Sequence, residues 1–370
     1  MLVNKLFGKD IFPRQWFPYG SQIGLDQEAI KFEHSLSLHK FNECFNIIKK
    51  KNDKDKRYWR RLLKRAKHIY QRVEEYKLSG KKRPIYLHWQ NFWSDMNTED
   101  CQILDFLKNS NPEIQFRLSS SPKQADVIIS SCYGKEKFQK KFDHCLRILF
   151  LGENVRPQFD NYDFSLTSDL NSYRGRNIYL PLWLFEVDLF ERNFNYNDRK
   201  IHKIDLFTKK KKIDFSTRKS SIVYVGNNCE PFRESIIRSI CDESNLIETY
   251  GSHSKPIENK VELLKKYKAT LALENSYYPG YITEKGIQAY LGGAKTFYWG
   301  CLKNSPFEGH PLFVNLETTQ TSDEIIYQIK NVINENKIME IPPLFTENYI
   351  TNIKSKLLLK MRNIFAQFLV

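Results

Sequence analysis

Residues 271–300 read LALENSYYPGYITEKGIQAYLGGAKTFYWG and join two apolar segments through a polar turn and a short helix. The apolar run at residues 271–273 predicts a buried parallel strand, which ends at the polar group Glu274-Asn275-Ser276. Thr283 is placed to cap a helix, and the glycines at residues 292–293 end that helix before a second strand at residues 295–299. This order of elements predicts an α/β fold built on a parallel sheet.

The first turn of the predicted helix is where such a fold binds ligands. In an open α/β sheet, ligands lie beyond the carboxyl ends of the strands, where helix N-termini point N–H groups at phosphates. Thr283, Glu284 and Lys285 fall at this point, shortly after Tyr281. A lysine can neutralise a diphosphate, and a carboxylate can bind a ribose diol. On residue chemistry alone, an ordinary connection with a surface Glu–Lys pair is an equally good interpretation.

Several elements of the chain resemble a known family. Residues 271–300 resemble the donor-binding signature of the α1,3/α1,4-fucosyltransferases, in which Glu-Asn-Ser is followed by Tyr-(Val/Ile)-Thr-Glu-Lys and Tyr-Trp-Gly. Residues 148–154 (ILFLGEN), followed by Pro157 and Phe159, are similar to the family's strand that ends in Gly-Glu-Asn. Residues 221–228 (SIVYVGNN) and Arg233 are similar to the strand and arginine that open its donor domain. The resemblance covers residues 84–327 and not residues 1–80.

The resemblance implies a fold and a reaction. The expected fold is GT-B of a bacterial-type member, with two Rossmann-like α/β domains facing a cleft and a mainly helical N-terminal extension. The expected reaction is an inverting transfer of L-fucose from GDP-fucose to the 3- or 4-hydroxyl of N-acetylglucosamine in a surface polysaccharide or lipopolysaccharide. GDP-fucose is then the co-substrate and no cofactor is required. The alternatives are transfer from another nucleotide sugar, or a non-enzymatic basic protein that binds nucleic acid or membrane.

Glu153 is the candidate catalytic base. It follows a predicted strand at residues 147–151, and Gly152 allows the backbone to approach a ligand closely. Its position matches the glutamate of the family's Gly-Glu-Asn element, which implies that it deprotonates the acceptor hydroxyl. The alternative is a glutamate that caps a helix or forms a salt bridge.

The resemblance also implies a set of donor ligands. Arg233 and Lys285 match the cations that hold the diphosphate, for which a planar guanidinium and a mobile ammonium are well suited. Glu284 matches the residue that binds the ribose. The remaining candidates have weaker assignments: Tyr281 as a donor contact, Asn275 and Ser276 as nucleotide contacts, and Asn227 as either a donor contact or a helix cap. No Asp-x-Asp element ends a strand, so no metal is expected.

Acceptor contacts are expected from loops of the first domain, at residues 88–93, 132–137 and 156–163. Trp89, Phe92 and Trp93 are either stacking surfaces for sugar rings or core side chains. The acceptor expected from this arrangement is a glycan or a lipid-linked oligosaccharide. No binding of nucleic acid is expected, because no recognised RNA-binding motif interleaves aromatic and basic residues.

The signature departs from the family at two places. Lys295-Thr296-Phe297 stands where the family reads apolar-Pro-apolar, and Gly286 stands where an apolar helix residue is typical. We expect Lys295 to add a cation near the donor site. The departures put the identity of the donor sugar in question and leave diphosphate binding unaffected.

Composition limits the class of protein. A chain of 370 residues with 41% apolar and 14% aromatic content can fill two domain cores. The formal charge of +15 favours anionic partners such as nucleotides, nucleic acid or lipid. Seven scattered cysteines without a Cys-x-x-Cys pair predict neither a zinc site nor a disulfide framework, which fits a reducing compartment.

Changes in composition along the chain predict five segments. Residues 1–80 form a helical, basic extension, and residues 81–188 form an acceptor-side α/β domain that carries the base. Residues 189–219, with the run Lys209-Lys210-Lys211-Lys212, form a linker or mobile loop. Residues 220–340 form the donor-binding α/β domain, and residues 341–370 contain a C-terminal amphipathic helix.

Two amphipathic stretches bear on membrane contact. No run of eighteen apolar residues and no secretory signal is present, so we expect a cytoplasmic protein, either free or peripheral on the inner face of the membrane. The basic stretch at residues 57–67 either lies on anionic lipid or docks on the catalytic core with a solvated basic face. The tail from residue 353 either closes against the first domain or lies on the membrane surface.

Overall fold

A computed structural model describes residues 56–81, 83–135, 142–173, 175–191, 201–226, 231–243, 246–251, 255–316, 322–365 and 368. The chain divides into two compact units. The first unit runs to Thr167 and also contains residues 171–179 and the residues from Ser355 onward. The second unit contains residues 168–170 and 180–354. The boundary therefore falls near residue 180 rather than at the predicted residue 188.

The first unit is built on a six-stranded parallel sheet of order β2-β1-β3-β4-β5-β6. Its strands are β1 (Ile85–Gln90), β2 (Phe116–Leu118), β3 (Val127–Ser130), β4 (Leu146–Leu151), β5 (Phe164–Thr167) and β6 (Asn177–Tyr179). Every residue of β3, β4 and β5 is buried, as apolar strands covered on both faces require. Strand β6 ends at Tyr179, and Leu182–Glu186 forms a 3-10 helix.

Helix α1 (Lys56–Ser79) is anchored by three aspartates that each precede a strand of this sheet. Arg61 and Arg65 contact Asp163 ahead of β5 at 3.3 and 2.8 Å. Two other sets of basic side chains of α1 contact the aspartates ahead of β4 and β3: Arg60 and Lys64 on Asp143, and His68 and Arg72 on Asp126. The helix thus lies along the amino-terminal edge of the sheet.

This docking corrects one part of the sequence interpretation. Arg61 and Arg65 are 1% and 3% exposed, so part of the basic face is buried rather than solvated. Burying a charge is costly unless it is paired, and the carboxylate of Asp163 provides that pairing. These two cations are therefore not available to an anionic membrane surface.

The buried ion pairs make the first unit sensitive to acid. Burial opposes ionisation of Asp163, but the charges of Arg65 and Arg61 outweigh it and hold the pKa of Asp163 below its ordinary value. Burial likewise opposes ionisation of Asp126, but the hydrogen bond to His68 and the charge of Arg72 lower its pKa. A carboxyl whose pKa is lower in the folded state stabilises the fold above its unfolded pKa, and this contribution is lost as the pH falls through the folded pKa.

We expect the free energy of unfolding to fall as the pH drops below about 4, the ordinary pKa of an aspartate. Urea unfolding at a series of pH values between 7 and 3 measures this dependence. An Asp163→Asn variant is the control: it is less stable at neutral pH and its stability changes less with acid. Equal acid dependence of both proteins would contradict this account.

The second unit contains a five-stranded parallel sheet of order β11-β10-β12-β13-β14 and two short strand pairs. Its strands are β7 (Val187–Asp188), β8 (His202–Lys203), β9 (Lys211–Asp214), β10 (Lys219–Val225), β11 (Ile247–Tyr250), β12 (Tyr267–Leu273), β13 (Lys295–Trp299), β14 (Phe313–Asn315) and β15 (Ile338–Ile341). The main core packs β10, β12 and β13 against helices, with Ile222, Leu271 and Phe297 at most 3% exposed.

Within the described residues, the α-helices that follow α1 are α2 (Gln102–Ser110), α3 (Asp205–Thr208), α4 (Pro231–Glu243), α5 (Lys260–Leu264), α6 (Glu284–Gly292), α7 (Ser322–Ile333) and α8 (Glu347–Phe365). None of the described helices is long and apolar enough to cross a membrane. In α8, Leu357, Met361 and Phe365 are buried, and Arg362 forms an ion pair with Glu113 at 2.6 Å. The apolar face of the tail therefore packs within the first unit.

The linker predicted at residues 189–219 is not a linker where the structure describes it. From residue 201 onward it forms β8, α3 and β9, and β9 pairs with β15 in antiparallel fashion. Phe207 and Phe215 are fully buried in the second unit. The charged run misled the prediction, because Lys209 and Lys212 project into solvent while Phe207 before the run and Phe215 after it are buried and anchor the segment.

Candidate active site

Both large sheets have a topological switch point. Numbered within each sheet, the strand orders are 2-1-3-4-5-6 and 2-1-3-4-5. The second strand is added on one side of the first and the third on the other side, so the switch point lies between the first and third strands. Ligands of open α/β sheets bind outside the carboxyl ends of strands at such a point. In the first unit the predicted acceptor aromatics lie at the end of β1 and just after it, and the predicted base follows β4. In the second unit the signature begins at the end of β12.

Glu274 organises the signature. It is fully buried at the end of β12 and its carboxylate accepts hydrogen bonds from the Thr283 N–H (2.9 Å), the Thr283 hydroxyl (2.8 Å) and the Tyr298 hydroxyl. The ammonium of Lys285 lies 3.2 Å from the same carboxylate. A buried carboxylate needs such partners to stay ionised. The sequence prediction treated Glu274 as a turn residue and missed this role.

The side chain of Glu274 leaves no room for a Cβ atom at residue 300, which is a glycine. Gly300 has φ +152°, and a Cβ there would lie 2.9 Å from Glu274 Cγ and 2.8 Å from the Tyr298 ring. The end of the signature motif, Tyr298-Trp299-Gly300, thus supplies a hydroxyl to Glu274 and leaves room for its side chain. The predicted cap is also present, since the Thr283 hydroxyl accepts from the Lys285 N–H at 3.5 Å.

The two cations predicted to hold a diphosphate lie in one neighbourhood. Burial lowers the pKa of Lys285, but Glu274 and Glu284 outweigh it and raise the pKa overall, while the charge of Arg233 opposes them. Arg233 lies on α4 and is 3% exposed. Arg238 on the same helix is exposed. Two positive groups held together beside a sheet edge are suited to binding a diphosphate.

A third cation in this neighbourhood was missed by the sequence prediction. Lys260 begins α5, and desolvation lowers its pKa to about 8 although Glu284 favours its charged form. Its positive charge in turn helps to lower the pKa of Glu284. No motif marks Lys260 in the sequence, because its neighbours in space come from another part of the chain.

The other predicted donor residues occupy different environments. Glu284 is 41% exposed and lies 3.5 Å from the Lys285 ammonium. Tyr281 is 2% exposed and packs in the interior of the unit. Asn275 and Ser276 are half-buried after β12, and Asn227 lies outside the described residues. Their donor contacts remain predictions.

Lys295 does not lie near the predicted donor site at the end of β12. It begins β13, next to Ala269 in β12, whereas Glu274 follows the opposite ends of these parallel strands. Its ammonium donates to the Pro311 carbonyl, and the charges that influence its pKa are those of Glu335 and Lys337. The expectation that Lys295 adds a cation near the donor site is wrong, because strand direction separates the two ends of β13.

Gly286 has a packing explanation. A Cβ at Gly286 would lie 2.8 Å from the ring of Phe307, which is fully buried. That ring is fixed in turn by edge contacts with Trp183 and Phe313. The ring fills the space that an apolar side chain of the helix would occupy.

Replacing Gly286 with alanine is expected to lower the free energy of unfolding by about 1–2 kcal/mol. Overpacking of the core costs ~1–3 kcal/mol, and the higher helix propensity of alanine offsets at most ~1 kcal/mol of that cost. Urea unfolding measures the change. The matched control is the same substitution combined with Phe307→Leu, which removes the ring: the alanine should cost less in that background. An alanine that stabilises the otherwise unchanged protein would contradict the packing explanation.

In the first unit, the candidate base Glu153 accepts a hydrogen bond from the Tyr133 hydroxyl at 2.9 Å. Glu153 is half-buried just after β4. Burial and the bond to Glu153 raise the pKa of Tyr133 well above its ordinary value, so its hydroxyl remains a donor. Glu153 therefore has a defined partner and an accessible position, both of which suit a general base.

The three aromatic residues predicted to contact the acceptor form one cluster beside Tyr133. Trp89 and Phe92 meet at 5.3 Å, Phe92 and Trp93 at 5.6 Å, and Trp93 and Tyr133 at 5.6 Å, each edge to face. Phe92 also stacks on Phe150 of β4, which fixes the cluster to the sheet. Trp93 is 42% exposed, while Trp89 and Phe92 are half-buried.

The described residues include no group of three or more His, Cys, Asp or Glu side chains arranged to hold a metal ion.

Comparison with known proteins gives a consistent result. Residues 87–186 match the family described as Alpha-(1,3)-fucosyltransferase FucT N-terminal domain. The chain is 25% identical over 275 residues to Alpha-(1,3)-fucosyltransferase FucT of Helicobacter pylori, which covers 67% of this chain. It spans 57% of the length of that relative.

A solved structure titled Crystal Structure of alpha1,3-Fucosyltransferase is similar with a TM-score of 0.50 and 20% identity, covering 76% of this chain and 91% of that one. This likeness confirms the predicted GT-B fold with its parallel α/β sheets. Together with the residues of the signature, these comparisons confirm the predicted resemblance of the chain to the fucosyltransferases.

Proposed function

We propose that this protein transfers L-fucose from GDP-fucose to a hydroxyl of a glycan. The observation that carries the proposal is the gathering of Arg233 and Lys285 into one neighbourhood at the signature, in a chain that is similar to a protein named Alpha-(1,3)-fucosyltransferase FucT. Two cations neutralise the charge that develops on a departing diphosphate. Lys260 adds a third positive group to the same region.

The proposed reaction is a single displacement with inversion. The acceptor oxygen attacks C1 of fucose and gives its proton to Glu153. The bond between C1 and the diphosphate oxygen breaks, and its electron pair leaves with GDP. Arg233 and Lys285 stabilise the diphosphate as this charge appears, so the proposal includes no metal or other cofactor. The transition state has oxocarbenium character, as in glycosidases.

The proposed acceptor hydroxyl is the 3- or 4-hydroxyl of N-acetylglucosamine, in a surface polysaccharide or a lipopolysaccharide. The half-exposed rings beside Glu153 support a carbohydrate acceptor, because sugar-binding sites combine aromatic surfaces with a few directed polar groups. A lipid-linked acceptor places the protein on the cytoplasmic face of a membrane. The buried cations Arg61 and Arg65 do not contribute to such contact, which depends on the exposed remainder of the net charge of +15.

The test is incubation of the purified protein with GDP-fucose and acceptors of the N-acetyllactosamine and lacto-N-biose types, read by mass and linkage analysis. A fucosylated product linked through the 3- or 4-hydroxyl supports the proposal. Thermal stabilisation by GDP and UDP tests the nucleotide independently, since a ligand stabilises only the state it binds. Stabilisation by UDP and not by GDP, with no product from GDP-fucose, would overturn the proposal in favour of another donor.

A further inference from the structure

Tyr133 lies at the switch point of the first sheet, in a position fixed by the backbone. The N–H groups of Tyr133 and Gly134 both donate to the carbonyl of Asn91, at 3.1 and 3.2 Å. A Cβ at Gly134 would lie 2.3 Å from the Asn91 side-chain oxygen and 2.8 Å from its Cα, so only glycine permits this approach. The loop after β3 is thereby clamped to the loop after β1.

The hydroxyl of Tyr133 has one defined partner. It lies 2.9 Å from Oε1 of Glu153. An ionised carboxylate only accepts hydrogen bonds, so the phenol is the donor. One carboxylate oxygen is thus held by Tyr133, which leaves the other oxygen to receive a proton.

The ring of Tyr133 faces a different partner. It meets Trp93 at a centroid distance of 5.6 Å and an interplanar angle of 84°. Both rings are close to half exposed, at 47% for Tyr133 and 42% for Trp93. Two exposed aromatic rings at a right angle form an apolar corner. This corner is adjacent to the carboxylate, because Tyr133 belongs to both.

We propose that Tyr133 is a positioning residue that aligns Glu153 through its hydroxyl and, with Trp93, forms the corner on which the acceptor sugar stacks. This inference rests on the proposed function. During transfer the proton of the acceptor hydroxyl moves to Glu153, and Tyr133 keeps its own proton. Because Tyr133 both forms the corner and aligns Glu153, a sugar that stacks on the corner lies beside the base. A sugar that dissociates from the corner moves away from the base as well.

Two variants separate the hydroxyl from the ring. Tyr133→Phe retains the ring and removes the hydrogen bond, so kcat should fall by about 10-fold or more while KM for the acceptor stays within about twofold. The acid limb of the pH dependence of kcat should also move to higher pH, because a donor to the ionised carboxylate is lost. Tyr133→Ala removes the ring as well, and KM for the acceptor should rise by about 10-fold or more.

Tyr327→Phe is the matched control, since Tyr327 is a 68% exposed tyrosine on α7 of the other unit, and both constants should stay unchanged. Urea midpoints and stabilisation by GDP establish that each variant is folded and binds nucleotide. An unchanged kcat and acid limb in Tyr133→Phe would overturn the role of the hydroxyl, and an unchanged acceptor KM in Tyr133→Ala would overturn the corner. A wild-type protein that transfers nothing would instead defeat the proposed function, so the two failures are distinct.

Discussion

Replacing Glu153 with glutamine is expected to abolish sugar transfer while GDP binds as it does to the wild type. Glutamine keeps the size of the side chain and an oxygen that can still accept from the Tyr133 hydroxyl, but it cannot take up a proton. General base catalysis contributes about 10²–10⁴-fold to rate, and a loss of this size is expected in kcat. Product formation and thermal stabilisation by GDP are the two measurements.

Glu99→Gln is the control for this substitution, because Glu99 is an exposed carboxylate of the same unit. It should leave both turnover and GDP binding unchanged. A Glu153→Gln protein that turns over at the wild-type rate would remove Glu153 from the role of base. A variant that loses stabilisation by GDP would show instead that the substitution acts on the donor or on folding.

Replacing Glu274 with glutamine is expected to lower the free energy of unfolding by about 3–5 kcal/mol, the usual cost of removing one partner from a buried ion pair. The amide brings donor hydrogens towards groups that themselves donate, namely Thr283 and Tyr298. The ammonium of Lys285, whose side chain is 14% exposed, loses its buried counter-charge. Stabilisation by GDP should weaken as well, because Lys285 and the start of α6 depend on this carboxylate for their positions.

The matched control is Glu262→Gln, which breaks the exposed pair with Lys265. That pair is closer, at 2.6 Å, but its side chains are 58% and 48% exposed. Exposed ion pairs contribute about 0–1 kcal/mol, so urea unfolding should barely change. Equal effects of the two substitutions would show that burial of Glu274 does not determine how much its ion pair contributes to the free energy of unfolding.

Much of the fold of the second unit is predictable because its determinants are local. Thr283 caps α6, the predicted helix ends at Gly292, and the strand at residues 295–299 has the predicted bounds. Glu153, the candidate base, also lies at the predicted position in the fold, directly after a fully buried strand. In each case the residues that decide the structure lie within a few positions of one another, and backbone preferences and apolar patterning act over that range.

The sequence alone did not decide which charged groups are buried. Arg61 and Arg65 have the spacing of a solvated helix face, and only Asp163, about a hundred residues further along, makes them interior residues. Glu274 resembles an ordinary turn residue until Thr283 and Tyr298 surround it. The cost of burying a charge depends on partners that are brought close only by folding, so a local pattern does not contain it.

The sequence determined an α/β protein that resembles the fucosyltransferases. It also predicted a candidate base and candidate diphosphate-binding cations, because each is marked by a residue type next to a strand or helix end. Tertiary structure decided the rest. Parallel strand direction places Lys295 at the edge opposite Glu274. The clamp of Gly134 on Asn91 holds Tyr133 in the loop whose hydroxyl contacts Glu153. Both depend on the distance between chain segments in space, which spacing along the chain does not encode.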